Sequence, residues 1–185
     1  MNPERPPSGL PGVRYGAVAR HVDPRGSFRE LWRAADGPPF VQANLSTSGV
    51  GVLRGLHLHR RQLDYWVVAS GRAFLALVDI RPLLDRSASV PRVETRELDA
   101  DDWVVIPEDV AHGFLALEPL DLLYLVTNPY DGSDELGFAW DDPAAGVRWP
   151  FPPDPTASGR PILSERDATN PPLADLVTRL RTDTA

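Results

Sequence analysis

DYWVVASGRAFLALVDI, residues 64–80, consists of two apolar runs divided by Ser70-Gly71. β-Branched, aromatic and leucine residues dominate both runs. That composition favours strand over helix, and a small, flexible pair between two such runs suits a tight turn. The expectation is a hairpin with its turn at 70–71.

The same texture recurs on either side, in VGVLRGLHLH (50–59), DDWVVIP (101–107), HGFLALE (112–118) and DLLYLVTN (121–128). The chain's 20 prolines and 14 glycines punctuate these runs as turns do between many short strands. Only PLADLVTRLRT (172–182) has helical spacing, with Leu173, Leu176 and Leu180 on one side. WPFPPDPTASGRP (149–161) reads as a Pro-rich loop wrapped over the strands. Antiparallel strands without alternating helices predict an all-β fold, a jelly-roll barrel of the cupin type with a short C-terminal helix. With 185 residues and no internal repeat, residues 1–185 are expected to form a single domain.

Composition excludes several classes of function. Hydrophobic residues make up 42% and charged residues 24%, as in ordinary globular domains. No apolar run approaches a membrane span, and MNPERPPSGLPG lacks a signal-peptide core, so a cytoplasmic protein is expected. A net charge of −7 argues against nucleic acid as a partner. Without cysteine there are no disulfides, thiolate ligands or cysteine nucleophile. All 19 basic residues are arginine, which removes lysine Schiff-base or acid–base chemistry.

Three of the four histidines fall in two short segments, His57 and His59 in RGLHLH and His112 in IPEDVAHGF. Positions 57 and 59 share one face of a strand, so both imidazoles look into the barrel or both look out. With Arg54 and Asp64 nearby, a polar pocket in a barrel mouth is the reading these residues favour over packed or surface histidines.

Five segments, GVLRGLHLH, SGRAFLALVDIR, VVIPEDVAHGFLALE, LLYLVTNPY and ILSERD, together with DPRGSFRE and FVQANLS near the start, occur in an order and spacing that resemble the dTDP-4-dehydrorhamnose 3,5-epimerase family. The resemblance spans about Asp23 to Asp167. It implies removal of a proton alpha to the 4-keto group of a dTDP-linked 4-keto-6-deoxy sugar and its return to the opposite face, in deoxysugar biosynthesis, without metal or other cofactor. On it, His57 is the base, Asp167 the carboxylate orienting it, and Tyr124 the acid. Arg54 and Arg25 resemble pyrophosphate contacts, and Phe28, Gln42 and Asn44, with Glu30 close by, resemble positions around the nucleotide base. His112 corresponds to a pocket histidine that orients or polarises the substrate, although a core role bonded to backbone fits equally. The early strand is implied to reach a neighbouring subunit, which predicts a homodimer.

One position departs from the family pattern. Where it implies a lysine able to stabilise the enolate, this chain has Asp64 at or beside that position, and two expectations follow: Arg60 or Arg61 replaces the lost cation, or Asp64 pairs with one of them at the pocket rim. The same stretch also resembles the first metal motif of cupins, with His57, His59 and Asp64 followed by Gly71, and His112 in the place of the second motif's histidine. A metal-dependent cupin using those four residues is therefore an alternative. A catalytically silent sugar-nucleotide binding protein is a third, against which the joint presence of His57, Tyr124 and Asp167 argues.

Overall fold

The structure is a computed structural model that describes residues 6–151 and 160–183. Most of the expected Pro-rich loop, 152–159, lies outside the described residues. Twelve strands follow in order among those described: β1 (Arg14–Ala17), β2 (Arg20–Asp23), β3 (Gly26–Arg29), β4 (Gln42–Ser48), β5 (Leu53–Leu58), β6 (Asp64–Ser70), β7 (Arg72–Asp79), β8 (Arg92–Asp99), β9 (Asp102–Ile106), β10 (Val110–Ala116), β11 (Leu120–Val126) and β12 (Leu136–Gly137). The helices are α1 (Arg81–Leu84), α2 (Glu165–Thr169) and α3 (Leu173–Thr182).

Two five-stranded antiparallel sheets form the body, one ordered β1-β9-β6-β11-β4 and the other β12-β5-β10-β7-β8, while β2 and β3 make a separate two-stranded ribbon. This is the expected all-β jelly roll with a C-terminal helix. Trp66, Val68, Leu75, Leu77, Val104, Ile106, Phe114, Leu120 and Leu122 fill the space between the sheets. A second apolar layer lies on the outer face of the β5–β10–β7 sheet, where α3 covers Leu56, Leu58, Ala76, Val78 and Ala111. β10 is consequently buried along its whole length. That double burial explains why these strands read as unbroken apolar runs. Leu173, Leu176, Val177 and Leu180 are the buried stripe of α3. At roughly 1.5–3 kcal/mol for each large apolar side chain taken out of water, they anchor the helix.

The hairpin expected at 70–71 is not formed. β6 pairs with β9 and β11, and β7 with β8 and β10, so the Ser70-Gly71 joint carries the chain from one sheet to the other. Gly71 has φ 82°, and a Cβ there would lie 2.1 Å from the Pro119 carbonyl oxygen. A glycine between apolar runs marks a sharp reversal, whether the strands pair or turn a corner. Pairing was decided elsewhere, since both sides of each strand are taken by other partners.

Candidate active site

A cavity of about 340 Å³ opens between the sheets. Trp66, Phe114, Leu122 and Val126 give it apolar surface, and Gln42, Asn44, Arg54, His57, His59, Asp64, His112 and Tyr124 give it polar groups.

His57 and Arg54 both line this cavity although they are three residues apart on one strand, which in a regular strand would put them on opposite faces. A β-bulge resolves the conflict. Opposite β10, His57 pairs with His112 but Arg54 pairs with Phe114, so β5 holds one residue more than its partner over that interval. The extra residue is accommodated at Gly55, where φ is 129° and a Cβ would come 2.6 Å from Gly113 Cα.

His57 Nε2 lies 2.6 Å from Asp167 Oδ1, across 110 residues of sequence. Asp167 is buried in α2, held by its own N–H donating to Ser164 Oγ at the helix N-cap, 3.1 Å. Burial pushes the Asp167 carboxyl up, but the His57 hydrogen bond and charge, Ser164 and Arg166 outweigh this and hold it below the usual carboxylate range. A carboxylate only accepts, so His57 Nε2 carries the proton and Nδ1 keeps the basic lone pair.

Tyr124 enters from β11, in the opposite sheet. Burial, with Asp64 and Glu135 adding to it, pushes its phenol above the ordinary value against the opposing pull of Arg54. It is therefore a neutral hydroxyl at physiological pH. On β4, Gln42 Nε2 donates to Asn44 Oδ1 at 2.8 Å, and Gln42 Oε1 accepts from the Tyr130 N–H, also at 2.8 Å. Arg54 is tethered by Nε to Ser48 Oγ, 3.1 Å.

Asp64 is not at the rim. It is 3% exposed, accepts from Gln62 Nε2 at 3.1 Å, and faces His59 and His112. Burial pushes its carboxyl up to about 7, against the opposing effects of His59, Gln62 and Trp66. Neither arginine reaches it as expected: Arg60 pairs with Asp109 at 2.6 Å, and Arg61 donates to Ser133 Oγ at 2.8 Å. His112 lines the cavity and donates from Nδ1 to the Val110 carbonyl at 3.1 Å, the backbone bond expected of a core histidine. Burial, followed by the neighbouring His59 and His57, holds its pKa well below the ordinary value.

Three expected binding residues lie away from this cavity. Arg25 and Phe28 sit on the exposed β2–β3 ribbon, where Arg25 pairs with Asp23, and Glu30, just after it, pairs with Arg33. The four-residue metal set is not assembled either. His59, Asp64 and His112 come together, but His57 is bonded to Asp167 instead. Gln62, Tyr130 and Glu135 line the cavity without having been singled out. Tyr130 ends the segment LLYLVTNPY that carries the resemblance, whereas Glu135 lies further along the loop after β11, whose polar composition resembles any surface loop and gives no signal.

Residues 7–175 match the family described as dTDP-4-dehydrorhamnose 3,5-epimerase. The chain belongs to that family. A dTDP-4-dehydrorhamnose 3,5-epimerase of Mycobacterium tuberculosis is 36% identical over 180 residues, covering 90% of this chain and 86% of its own. A dTDP-4-dehydrorhamnose 3-epimerase of Streptomyces niveus is 33% identical over 174 residues, covering 87% and 79%. Among solved structures, NovW, a 4-keto-6-deoxy sugar epimerase from the novobiocin biosynthetic gene cluster of Streptomyces spheroides, superposes with a TM-score of 0.80 at 29% identity, covering 98% of this chain and 92% of that one. The jelly roll of this epimerase is thus the cupin-type fold of its relatives, and its class is isomerase. No helix among the described residues is long and apolar enough to cross a membrane.

Proposed function

We propose that this epimerase inverts carbon 3, carbon 5 or both of a dTDP-linked 4-keto-6-deoxyhexose, with His57 as base, Asp167 as the carboxylate that fixes its tautomer, and Tyr124 as acid. The observation that carries the assignment is the 2.6 Å His57–Asp167 contact on one wall of a cavity whose opposite wall holds Tyr124. Inversion needs a base on one face of the sugar and a proton donor on the other. His57 reaches the cavity from β5 and Tyr124 from the facing sheet. Gln42, Asn44 and Arg54 hold the nucleotide diphosphate end, the arginine through a fork of donors suited to phosphate oxygens.

Arg25, Phe28 and Glu30 act in a second copy's cavity, which makes the working unit a homodimer of single-domain chains. Their position on or beside a ribbon with an exposed outer face supports this.

The assignment is tested with Tyr124→Phe and a dTDP-4-keto-6-deoxyglucose substrate in deuterated water. Loss of the phenol leaves deprotonation intact and removes the donor on the far face. Exchange should persist while inversion falls by roughly 10²-fold or more. Product formed at the wild-type rate would show that the acid is another group.

A further inference from the structure

His59, Asp64 and His112 place their ligand atoms within 4.8 Å of one another, and all three side chains are buried. They come from both sheets, since Asp64 opens β6, His112 lies on β10 and His59 follows β5. Each imidazole is committed at Nδ1 to a main-chain carbonyl, His59 to Asp134 at 2.7 Å and His112 to Val110 at 3.1 Å. A carbonyl only accepts, so Nδ1 carries the proton and Nε2 presents a lone pair. Both Nε2 atoms stand 3.9 Å from the same Asp64 oxygen, beyond hydrogen-bond distance. Two lone pairs and a carboxylate oxygen thus share one small buried volume, and with Nδ1 protonated neither imidazole has an Nε2 proton to offer Asp64.

We propose that His59, Asp64 and His112 bind one divalent first-row transition metal, of the zinc or iron(II) class, with its open coordination positions toward the cavity. Imidazole and carboxylate are the donors those ions take, and a tetrahedral zinc would hold its ligands about 3.3–3.5 Å apart, so the imidazoles would turn inward from the 3.9 Å to Asp64 and the spread of up to 4.8 Å across the set. Backbone carbonyls on both Nδ1 atoms are the outer support that metal-bound histidines require. His57 stays outside the set, so its lone pair remains free for proton transfer. On the epimerase reading, the ion would hold the substrate's C4 oxygen as enolate charge develops, in a chain without any lysine to do so.

The test uses full-length protein stripped with a chelator and dialysed, with no sugar nucleotide present. Co²⁺ is titrated and followed by its visible absorption, and Zn²⁺ is followed by melting temperature. One equivalent of Co²⁺ should saturate, Zn²⁺ should raise Tm because the ion joins both sheets, and both effects should be lost in His59→Gln and Asp64→Asn but kept in His57→Asn. The wild type alone can fail, so a variant that does not fold rescues nothing. No saturable cobalt band and an unchanged Tm would overturn the site even in a working epimerase. Binding without turnover on any 4-keto sugar would support the site while removing the epimerase reading. Full turnover by stripped enzyme would overturn the ion's part in the reaction.

Discussion

Asp167 connects the last part of the chain to the cavity through one hydrogen bond, to His57. Replacing it with asparagine keeps an acceptor for His57 Nε2–H but removes the charge that stabilises the imidazolium. Turnover of Asp167→Asn should fall by roughly 10²-fold with KM little changed, measured by steady-state kinetics. Because the folded carboxyl lies below the unfolded value near ~3.9, its contribution to stability is present above that pH and is lost as pH falls through the lower folded value. The Tm difference between wild type and Asp167→Asn should therefore shrink below about pH 4. The convergence of His57 with Asp167, and of Tyr124 on the same cavity, was legible because each sits in a segment with a recognisable neighbourhood. Asp64 was misplaced at the rim because sequence shows a charged residue beside two arginines, whereas burial is decided by the packing of β6 between β9 and β11.

At the scale of elements, the bulge on β5 sets the site. Parity along a strand placed His57 and His59 on one face, and both line the cavity. The same parity would have turned Arg54 away, and no rule of alternation reveals an extra residue. Its trace was Gly55 facing Gly113. A Cβ on Gly113 would meet the Arg54 carbonyl oxygen at 2.8 Å and Gly55 Cα at 3.1 Å, both backbone atoms that cannot swing aside. Gly113→Ala should destabilise by about 1–3 kcal/mol in urea unfolding and lower turnover further by shifting His57 against His112. An unchanged midpoint would mean that the strands tolerate a wider separation. The Ser70-Gly71 corner carries the same lesson. Local composition locates a reversal, and strand partners decide its kind.

Across the whole molecule, the ribbon β2–β3 is fastened by Arg20 and Arg29, both ion-paired with Asp101, at 2.7 and 2.6 Å. Its outer surface shows Val22 and Phe28, and the edge strand β4 shows Leu45, at 74%, 66% and 64% exposure. Such residues beside an open sheet edge suit association with a second copy. Sedimentation should give a dimer, and Leu45→Asp should shift it toward monomer without loss of secondary structure. A wild type that remains monomeric at micromolar concentration would remove the shared-site proposal. The jelly roll was legible because many short apolar runs with turn residues between them admit few architectures. The separation of the ribbon from the cavity was not, since local composition does not say how far a two-stranded ribbon stands from the main sheets.

Solvent deuterium reports the proposed proton transfer most directly. Wild-type protein incubated in deuterated water with a dTDP-4-keto-6-deoxy sugar should place deuterium on carbon 3, carbon 5 or both as the configuration inverts, and His57→Ala should place none. Absence of incorporation by the wild type, or incorporation by His57→Ala at the wild-type rate, would contradict it.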